Sequence, residues 1–328
     1  MKRNANTYLT RDEIRALLRP SDLRGALSIA LCWALIGLSL ALIAAFPANP
    51  LAWLVALVLL GGRQLALGIL MHECAHHSLF ATRWANDAFG KWLCAALVWQ
   101  RLDAYRKHHL LHHAHTSLDE DTDLNLIEPF PCSRESLRRK FLRDLTGRTF
   151  VRRTVGLVLM DAGVLTYSAS GGQRRVTPRP SRRAMLTNLM QNAGPVLLTN
   201  AALYAICASA GHGFVYLGWL LAHATVYNVF VRVRAVAEHA VLERTADPFR
   251  NTRTTEANWL ARLTVAPIHV NHHLEHHLLP TVPHYRLPKL SALLRQRGAY
   301  EHAPHASGYC EVLALATSAP PRAPVTPS

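Results

Sequence analysis

Long apolar stretches limit what this chain can fold into more than any other feature of its sequence. Residues 25–46 contain no charged residue, and residues 51–71 are interrupted only by Arg63 and Gln64. Two later stretches are also mainly apolar. A helix needs roughly 20 apolar residues to cross a bilayer core of about 30 Å. We therefore expect an all-α membrane protein with four transmembrane helices in two hairpins, spanning about residues 25–46, 51–71, 186–210 and 214–231.

The distribution of basic residues predicts the orientation of these spans. The formal net charge of +15 would suit a nucleic-acid-binding protein, but aromatic residues are few and the Lys and Arg residues cluster in loops beside the apolar stretches. Positively charged loops tend to stay in the cytoplasm. Both hairpins should then open toward the cytoplasm, with a helical cytosolic cap between and after them. Residues 155–169 are expected to form a surface helix, because crossing would carry the basic run that follows to the outside.

The expected domain organisation follows from this topology. Residues 1–24 form a cytosolic segment with an interfacial helix, and Thr10 and Glu13 have the spacing of a capping box. Residues 25–294 form the main domain. Residues 88–100 are apolar but too short to span, so we expect them to be interfacial or re-entrant. Residues 295–328 form a tail that is partly disordered, since it becomes rich in proline from Ala316 onward. Six scattered cysteines without a Cys-x-x-Cys pair indicate buried thiols in a reducing compartment.

Three histidine clusters, in residues 72–77, 109–113 and 273–277, carry the chemistry. Positions i, i+3 and i+4 share one face of a helix, so each cluster presents several imidazoles in one direction. The predicted topology places all three at the cytoplasmic membrane face. A tetrahedral zinc needs about four protein ligands, so a larger supply predicts two metal ions. The candidate ligands from spacing are His72, His76, His109, His112, His113, His273, His276 and His277.

Histidines outside the clusters are assigned by their position. His239 follows the fourth predicted span on the cytoplasmic side, and we expect it to be a ninth ligand. His77 points about 100° away from its neighbour on a helix and is expected to lie outside the site. His223 lies within a span, where a hydrogen bond between helices is the expected role. Glu238 is one of several carboxylates beside proposed ligands that could orient the imidazoles.

Two other functions remain open at this point. Residues 72–76 match the His-Glu-x-x-His pattern of zinc proteases, in which Glu73 would be the general base. A membrane zinc protease needs only one further ligand, however, and leaves the other two clusters unexplained. A metal-handling membrane protein is the non-enzymatic alternative. It should place its histidines along a path through the membrane, whereas these gather at one face.

The three clusters, in this order and with a hairpin between the second and third, resemble the membrane fatty acid desaturase superfamily. The third is the most specific, with Asn271 before it and Pro280, Pro283, Tyr285 and the Leu287–Pro288 pair after it. The resemblance covers about residues 51–294. It implies a four-span stem below a cytosolic cap with a di-iron centre. The ligands that it implies are His72, His76, His109, His112, His113, His239, His273, His276 and His277.

The resemblance also implies a reaction. Two iron ions and O2, as co-substrate, would remove two hydrogens from neighbouring carbons of a lipid acyl chain and so introduce a double bond. No His-Pro-Gly-Gly segment of a fused cytochrome b5 occurs, so electrons should come from a separate donor of the ferredoxin, rubredoxin or cytochrome b5 type. Ala235 stands where some desaturases carry a water-holding asparagine. A di-iron hydroxylase or ketolase acting on an alkane, a carotenoid or another lipid is the alternative within the superfamily.

Overall fold

A computed structural model describes residues 4–318, and these residues are mostly helical. The helices of the first half are α1 (Ala5–Tyr8), α2 (Arg11–Leu17), α3 (Asp22–Ala45), α4 (Pro50–Ala75), α5 (Arg83–Phe89), α6 (Leu102–His115), α7 (Leu124–Ile127), α8 (Arg134–Leu145) and α9 (Arg148–Asp161). Those of the second half are α10 (Arg182–Ser209), α11 (Tyr216–Ala224), α12 (Val226–His239), α13 (Pro248–Asn251), α14 (Trp259–Leu263), α15 (His273–Leu278), α16 (Leu287–Gln296) and α17 (Tyr309–Ala316). Two short strands, β1 (Thr254–Thr255) and β2 (His305–Ala306), pair in parallel.

Residues at the helix ends explain where the first helices begin. Thr10 and Glu13 form the predicted capping box of α2, in which the side chain of each accepts a hydrogen bond from the backbone N–H of the other. Asn49 caps α4 by accepting from the N–H groups of Leu51 and Ala52, and Pro50 occupies the first helical position, where its missing N–H costs nothing. The short turn between α3 and α4 produces the expected hairpin.

Three helical stretches in the described part of the chain are long and apolar enough to cross a membrane. They are Asp22–Ala45, Pro50–Ala75 and Gly213–His239, the last of which joins a 3₁₀ turn, α11 and α12. The helix over the predicted third span, α10, is long enough, but polar residues such as Asn192 and Asn200 keep it outside this group. A four-span stem therefore remains a prediction.

Close helix contacts build the stem. A buried apolar cluster joins α3, α4 and α11 and includes Ile43, Leu60 and Trp219. Two glycines of α4 allow neighbouring helices to come close to it. A Cβ added at Gly61 would lie 3.1 Å from the Val226 side chain, and one at Gly62 would lie 2.0 Å from the carbonyl oxygen of Leu263. The stem helix α4 is therefore in direct backbone contact with the C-terminal end of α14.

Arg63 strengthens this contact. Its guanidinium is buried and donates hydrogen bonds to the carbonyl oxygens of Arg262 at 3.3 Å and Leu263 at 3.1 Å. Trp259 and Leu260, on α14, are exposed large apolar side chains, as expected of a helix that rests on a membrane surface. The stem helix α4 therefore contacts the rest of the protein at the end of α14.

Two further segments take the following form in the structure. Residues 88–100 form the end of α5, a π-helical turn (Gly90–Ala95) and a 3₁₀ turn (Ala96–Val98). The surface helix predicted at 155–169 is α9, which begins and ends earlier, at Arg148 and Asp161. After it the chain turns, and Leu165 pairs with Arg175 in an isolated antiparallel bridge.

The C-terminal part of the described chain packs against α12. A buried cluster contains Val236 and Ala237 of α12 together with Val312 and Ala316 of α17. Described residues of the predicted tail, up to residue 318, thus contribute to the core. The proline-rich remainder, for which disorder was predicted, lies outside the described residues.

Candidate metal centre

The structure brings all nine predicted histidines together in two adjacent groups. In each group, one potential ligand atom of every residue lies within 4.8 Å of those of the others. The five-histidine group contains His72, His76, His109, His113 and His276. The four-histidine group contains His112, His239, His273 and His277.

Helical spacing explains how a small number of helices can supply nine imidazoles. His72, in the last turn of α4, and His76, which directly follows that helix, are four residues apart and lie on one face. Helices α6 and α15 each lie between the groups and contribute to both. The rings of His113 on α6 and His277 on α15 belong to different groups, yet their centroids are 4.3 Å apart.

Arg253 fixes the end of α12, from which His239 projects. Its buried guanidinium donates to the carbonyl oxygens of Val236, Ala237 and Ala240 at 3.4, 3.1 and 2.9 Å. The last carbonyls of a helix lack intrahelical partners and attract positive charge, so this contact stabilises the helix end. Burial lowers the pKa of Arg253 to about 10, which leaves it charged at neutral pH.

Short α15 is held by a buried carboxylate. Glu275 accepts hydrogen bonds from the hydroxyl of Thr254 at 2.5 Å and from the hydroxyl of Tyr300. Just before the helix, the side-chain amide of Asn271 donates to the carbonyl oxygen of Thr255 at 3.0 Å. These contacts tie the third histidine cluster to the β1 segment and to the turn after α16.

Contacts at Nδ1 orient the imidazoles of the four-histidine group. The Nδ1–H of His112 donates to the Asp121 carboxylate at 2.7 Å, and that of His239 donates to the carbonyl oxygen of Asn251 at 2.9 Å. The remaining two contacts are longer, from His273 Nδ1 to Glu238 at 3.4 Å and from His277 Nδ1 to Thr116 at 3.4 Å. Each Nε2 is thereby left for the interior of the group, as in proteins where carboxylates or carbonyls orient metal-bound imidazoles.

The five-histidine group has unsatisfied nitrogens that fit a bound cation. His113 Nε2 lies 3.0 Å from both His109 Nε2 and His276 Nε2. A neutral imidazole has only one N–H, so such a cluster cannot satisfy all of its lone pairs internally. Among the described residues, the Nε2 atoms of buried His72 and His76 have no hydrogen-bond partner at all. Unpaired buried polar atoms are costly, and a metal ion between these nitrogens would satisfy them.

The protonation states also suit metal binding, which requires neutral imidazoles. Burial, together with the neighbouring His72, lowers the pKa of His76 to about 3. Burial likewise holds the pKa values of His109, His113, His273, His276 and His277 well below the usual range. His112 is different: burial alone would lower its pKa, but the hydrogen bond to Asp121 and nearby carboxylates raise it.

A family comparison agrees with this arrangement. The sequence model of the family described as "Fatty acid desaturase" matches residues 48–309, which include all nine histidines. The chain belongs to the fatty acid desaturase family. Membership confirms the resemblance seen in the three clusters and the prediction of a desaturase-like oxidoreductase at the level of the family.

Relatives of this desaturase-family chain include proteins from plants and bacteria. The acyl-lipid (9+3)-(E)-desaturase of Dimorphotheca sinuata is 27% identical over 73% of this chain, but the match spans 65% of that protein, just under two thirds of its length. The dihydrorhizobitoxine desaturase of Bradyrhizobium elkanii is 24% identical over 86% of this chain and 78% of its own. The sn-1 oleoyl-lipid 12-desaturase of Anabaena variabilis is 25% identical over 77% of this chain and 71% of its own length.

The environment of Glu73 argues against the zinc-protease alternative. Its carboxylate is buried and accepts hydrogen bonds from the backbone N–H of His284 at 2.8 Å and from the hydroxyl of Ser78 at 3.2 Å. A general base for metal-bound water must be able to reach that water. Here the carboxylate instead ties α4 to the segment after α15.

Other histidines lie outside both groups, as expected for His77 and His223. His77 adopts a positive φ of 54° directly after α4, and His223 contacts the guanidinium of Arg153 at 2.6 Å. The sequence did not reveal the roles of Asn251 or Arg253. Both lie more than ten residues beyond α12, Asn251 at the end of the short helix α13 and Arg253 just after it, and no local pattern indicates that the chain returns to the end of α12 there.

A small cavity of about 120 Å³ adjoins the four-histidine group. His109, His112, His239 and His273 form part of its wall. Much of the remaining wall is apolar or aromatic and comes from α4, α6 and α12: Leu65, Gly68, Met71, Tyr105, Tyr227, Val231 and Ala235. The candidate metal centre thus borders a space whose wall combines these apolar side chains with the charged residues Asp121, Asp123, Arg234 and Glu238.

Proposed function

We propose that this protein is an O2-dependent desaturase that introduces a double bond into a lipid acyl chain. The observation that carries the proposal is the juxtaposition of two histidine groups with a cavity that has a partly apolar wall. The printed names of relatives, which include acyl-lipid and oleoyl-lipid desaturases, support an acyl chain as substrate.

Two iron ions are the proposed cofactors, held by the nine histidines named above. With O2 they would supply the oxidising power for an unactivated C–H bond, which amino-acid side chains lack. Imidazole suits iron, although it also binds zinc and copper. The chain's own contribution is to orient the imidazoles, as Asp121 and Asn251 do, and to shield the nitrogens from bulk water through burial.

Residues along the cavity would position the substrate. Tyr105 stacks on the ring of His109, with centroids 5.2 Å apart, and the buried Tyr227 forms part of the wall. Gly68 lies one helical turn before His72, and a Cβ at that position would meet no atom within 4 Å. An acyl chain running between α4 and α12 would use this space, with water excluded from the reacting carbons.

We also propose that this is an integral, multi-pass membrane protein. It would have four spans, with the histidine groups in a cytosolic cap. The three apolar helical stretches support membrane insertion, and the basic loops support the orientation. A separate electron donor of the ferredoxin, rubredoxin or cytochrome b5 type belongs to the same proposal. The proposed domain limits remain 1–24, 25–294 and 295–328.

The test is expression in a host of defined lipid composition, followed by mass spectrometry of total lipids. The expected product lacks two hydrogen atoms relative to its precursor, and metal analysis of purified protein should find two irons per chain. A product that gains one oxygen atom would instead establish the hydroxylase alternative. Protein that binds only zinc, or a lipid profile unchanged despite iron loading and a supplied electron donor, would contradict the proposal.

A further inference from the structure

Gln100 is the one described residue that lines three separate cavities. It forms part of the wall of the small cavity beside the four-histidine group, which we call the histidine cavity. It also lines a cavity of about 610 Å³ between α6 and α10, which we call the outer cavity, and a third of about 420 Å³ between α9 and α12. The Gln100 side chain therefore lies where these spaces adjoin.

The backbone on both sides of Gln100 is fixed. Trp99 has φ 53° and ψ 52°, a left-handed conformation that is uncommon for residues other than glycine. The buried carboxylate of Asp161 accepts a hydrogen bond from Trp99 Nε1 at 3.1 Å and pairs with Arg101 at 3.3 Å. The N–H of Gln100 itself donates to the carbonyl oxygen of Ala95 at 2.9 Å. These contacts determine where the Gln100 side chain begins.

The side-chain amide of Gln100 is held at its oxygen. The hydroxyl of Tyr167 donates a hydrogen bond to Gln100 Oε1 at 2.8 Å. An amide nitrogen carries two N–H donors, and no described residue accepts a hydrogen bond from Gln100 Nε2. These donors are accessible from the cavities that the side chain lines. An oriented N–H of this kind is well suited to a neutral carbonyl oxygen.

The charged side chains of the histidine cavity already have protein partners. Each forms a hydrogen bond, in the pairs Arg234–Glu238, Asp121–His112 and Asp123–His108. In the outer cavity, by contrast, Lys107 is exposed and forms no ion pair with a described residue. The outer cavity is thus the better place for the polar end of a substrate, and the histidine cavity for its apolar chain.

An acyl substrate is divided in the same way, because its carbonyl group separates the polar carrier from the methylenes. Methylenes in the histidine cavity would pack beside Leu65, Met71 and Val231. The carbonyl oxygen would then lie at the boundary with the outer cavity, where Gln100 Nε2 offers its donors.

We propose that Gln100 Nε2 donates a hydrogen bond to the carbonyl oxygen of the acyl substrate and thereby determines which carbons reach the histidines. The inference rests on the proposed desaturase function and adds a residue that determines specificity. Tyr167 is a positioning residue, because it acts by orienting the Gln100 amide. Esters and thioesters both present this oxygen, so the site recognises the carbonyl and not a particular carrier.

The first experiment measures binding to metal-free protein, so that it does not depend on catalysis. Detergent-solubilised protein on an affinity resin is equilibrated with methyl hexadecanoate, the corresponding S-methyl thioester or octadecane, a hydrocarbon of similar length. Bound ligand is quantified by mass spectrometry. Unmodified protein should prefer the carbonyl compounds to octadecane. Gln100→Met keeps the length of the side chain but has no N–H, and it should reduce this preference about two- to tenfold, as expected for one lost neutral hydrogen bond.

Matched variants separate the N–H donors from the shape of the side chain. Gln100→Glu, assayed at alkaline pH, still accepts from Tyr167 but offers no N–H, so its preference should fall as in Gln100→Met. It also serves as the test if Gln100→Met does not fold. Tyr167→Phe should reduce the preference less, since the donors remain but are no longer oriented. Gln191→Met is the control, because exposed Gln191 lines the outer cavity but neither of the other two, and it should bind like unmodified protein.

Product analysis provides a second readout. Active enzyme is supplied with saturated acyl chains that differ only in length, and the position of the double bond is determined by mass spectrometry. In unmodified protein this position should keep a constant distance from the carbonyl across the series. Gln100→Met should give a mixture of positions, whereas a purely structural defect would lower the yield at one unchanged position.

Several outcomes would overturn the inference. One is equal affinity of unmodified protein for methyl hexadecanoate, its thioester counterpart and octadecane. Another is a Gln100→Met variant with unchanged preference and unchanged product position. A third is a double bond at a constant distance from the methyl end. A preference for one carbonyl compound that depends on Gln100 would support the site and identify the linkage. The same preference without any desaturated product would count against the proposed function and leave the carbonyl site standing.

Discussion

The carboxylate of Asp121 accepts a hydrogen bond from the Nδ1–H of His112 at 2.7 Å, nine residues away in sequence. Asp121 also accepts from the backbone N–H groups of Ser117 and Asp123 at 2.7 and 2.9 Å, so its own position is fixed. This pair sets the orientation of one imidazole and determines which of its nitrogens faces the four-histidine group.

Replacing Asp121 should weaken metal binding by that group. In Asp121→Asn, the charge that supports His112 is lost while the side-chain shape is kept. Loss of such a partner typically reduces metal affinity about 10–100-fold. Metal content per chain, measured after dialysis against a graded chelator series, should fall for this variant. Asp119→Asn is the control, because Asp119 pairs with Arg244 at the surface and should retain full metal content.

His276→Ala should abolish product formation and leave membrane insertion intact. His276 Nε2 lies 3.0 Å from His113 Nε2 inside the five-histidine group, so its removal opens that group. Product is measured by lipid analysis and insertion by membrane fractionation. His115→Ala, on α6 but outside both groups, should remain active. Full turnover by the His276 variant would disprove its assignment as a ligand.

Acid should destabilise the metal-free protein. The pKa of His76 in the folded chain is about 3 against an ordinary value of 6.5. Below pH 6.5 the unfolded chain therefore binds protons that the folded chain does not, and stability is lost progressively as the pH falls from 6.5 to 3. Five further histidines of the two groups act in the same direction.

His112 opposes this trend, since its raised pKa favours folding at low pH, but one group acts against six. Thermal unfolding in detergent at pH 7.5 and pH 5 measures the net effect, and the midpoint should be lower at pH 5. A higher midpoint in acid would show that the buried histidines do not remain neutral.

Gly62→Ala should destabilise the protein, although alanine normally favours a helix. The added Cβ would lie 2.0 Å from the carbonyl oxygen of Leu263, so α4 must move and the Arg63 hydrogen bonds are disturbed. Overpacking of this kind typically costs about 1–3 kcal/mol. Gly37→Ala on α3 is the matched control. Its Cβ meets nothing within 4 Å, so the unfolding temperature should stay level or rise, in line with a gain of up to about 1 kcal/mol.

The histidine groups could be predicted from sequence because local helical spacing places His72 with His76 and aligns the ligands of α6. Contacts between residues far apart in the sequence could not be predicted in this way, because no local sequence pattern indicates them. The cap that Arg253 provides for α12 depends on a return of the chain through irregular structure. The break at Thr225, with φ −122° and ψ −88°, has no proline or glycine beside it to indicate it. The start of α9 was also missed, because Arg148, Arg152 and Arg153 obscure its apolar face.

Helices α6 and α15 each supply imidazoles to both histidine groups. The separation of the two groups is consequently determined by the rise and pitch of single helical turns. Inserting one residue between His109 and His112 would rotate the later ligands by about a quarter turn and misplace members of both groups. The number of residues in this segment is thus as much a requirement of the centre as the imidazoles, and deletions here should be as damaging as loss of a ligand.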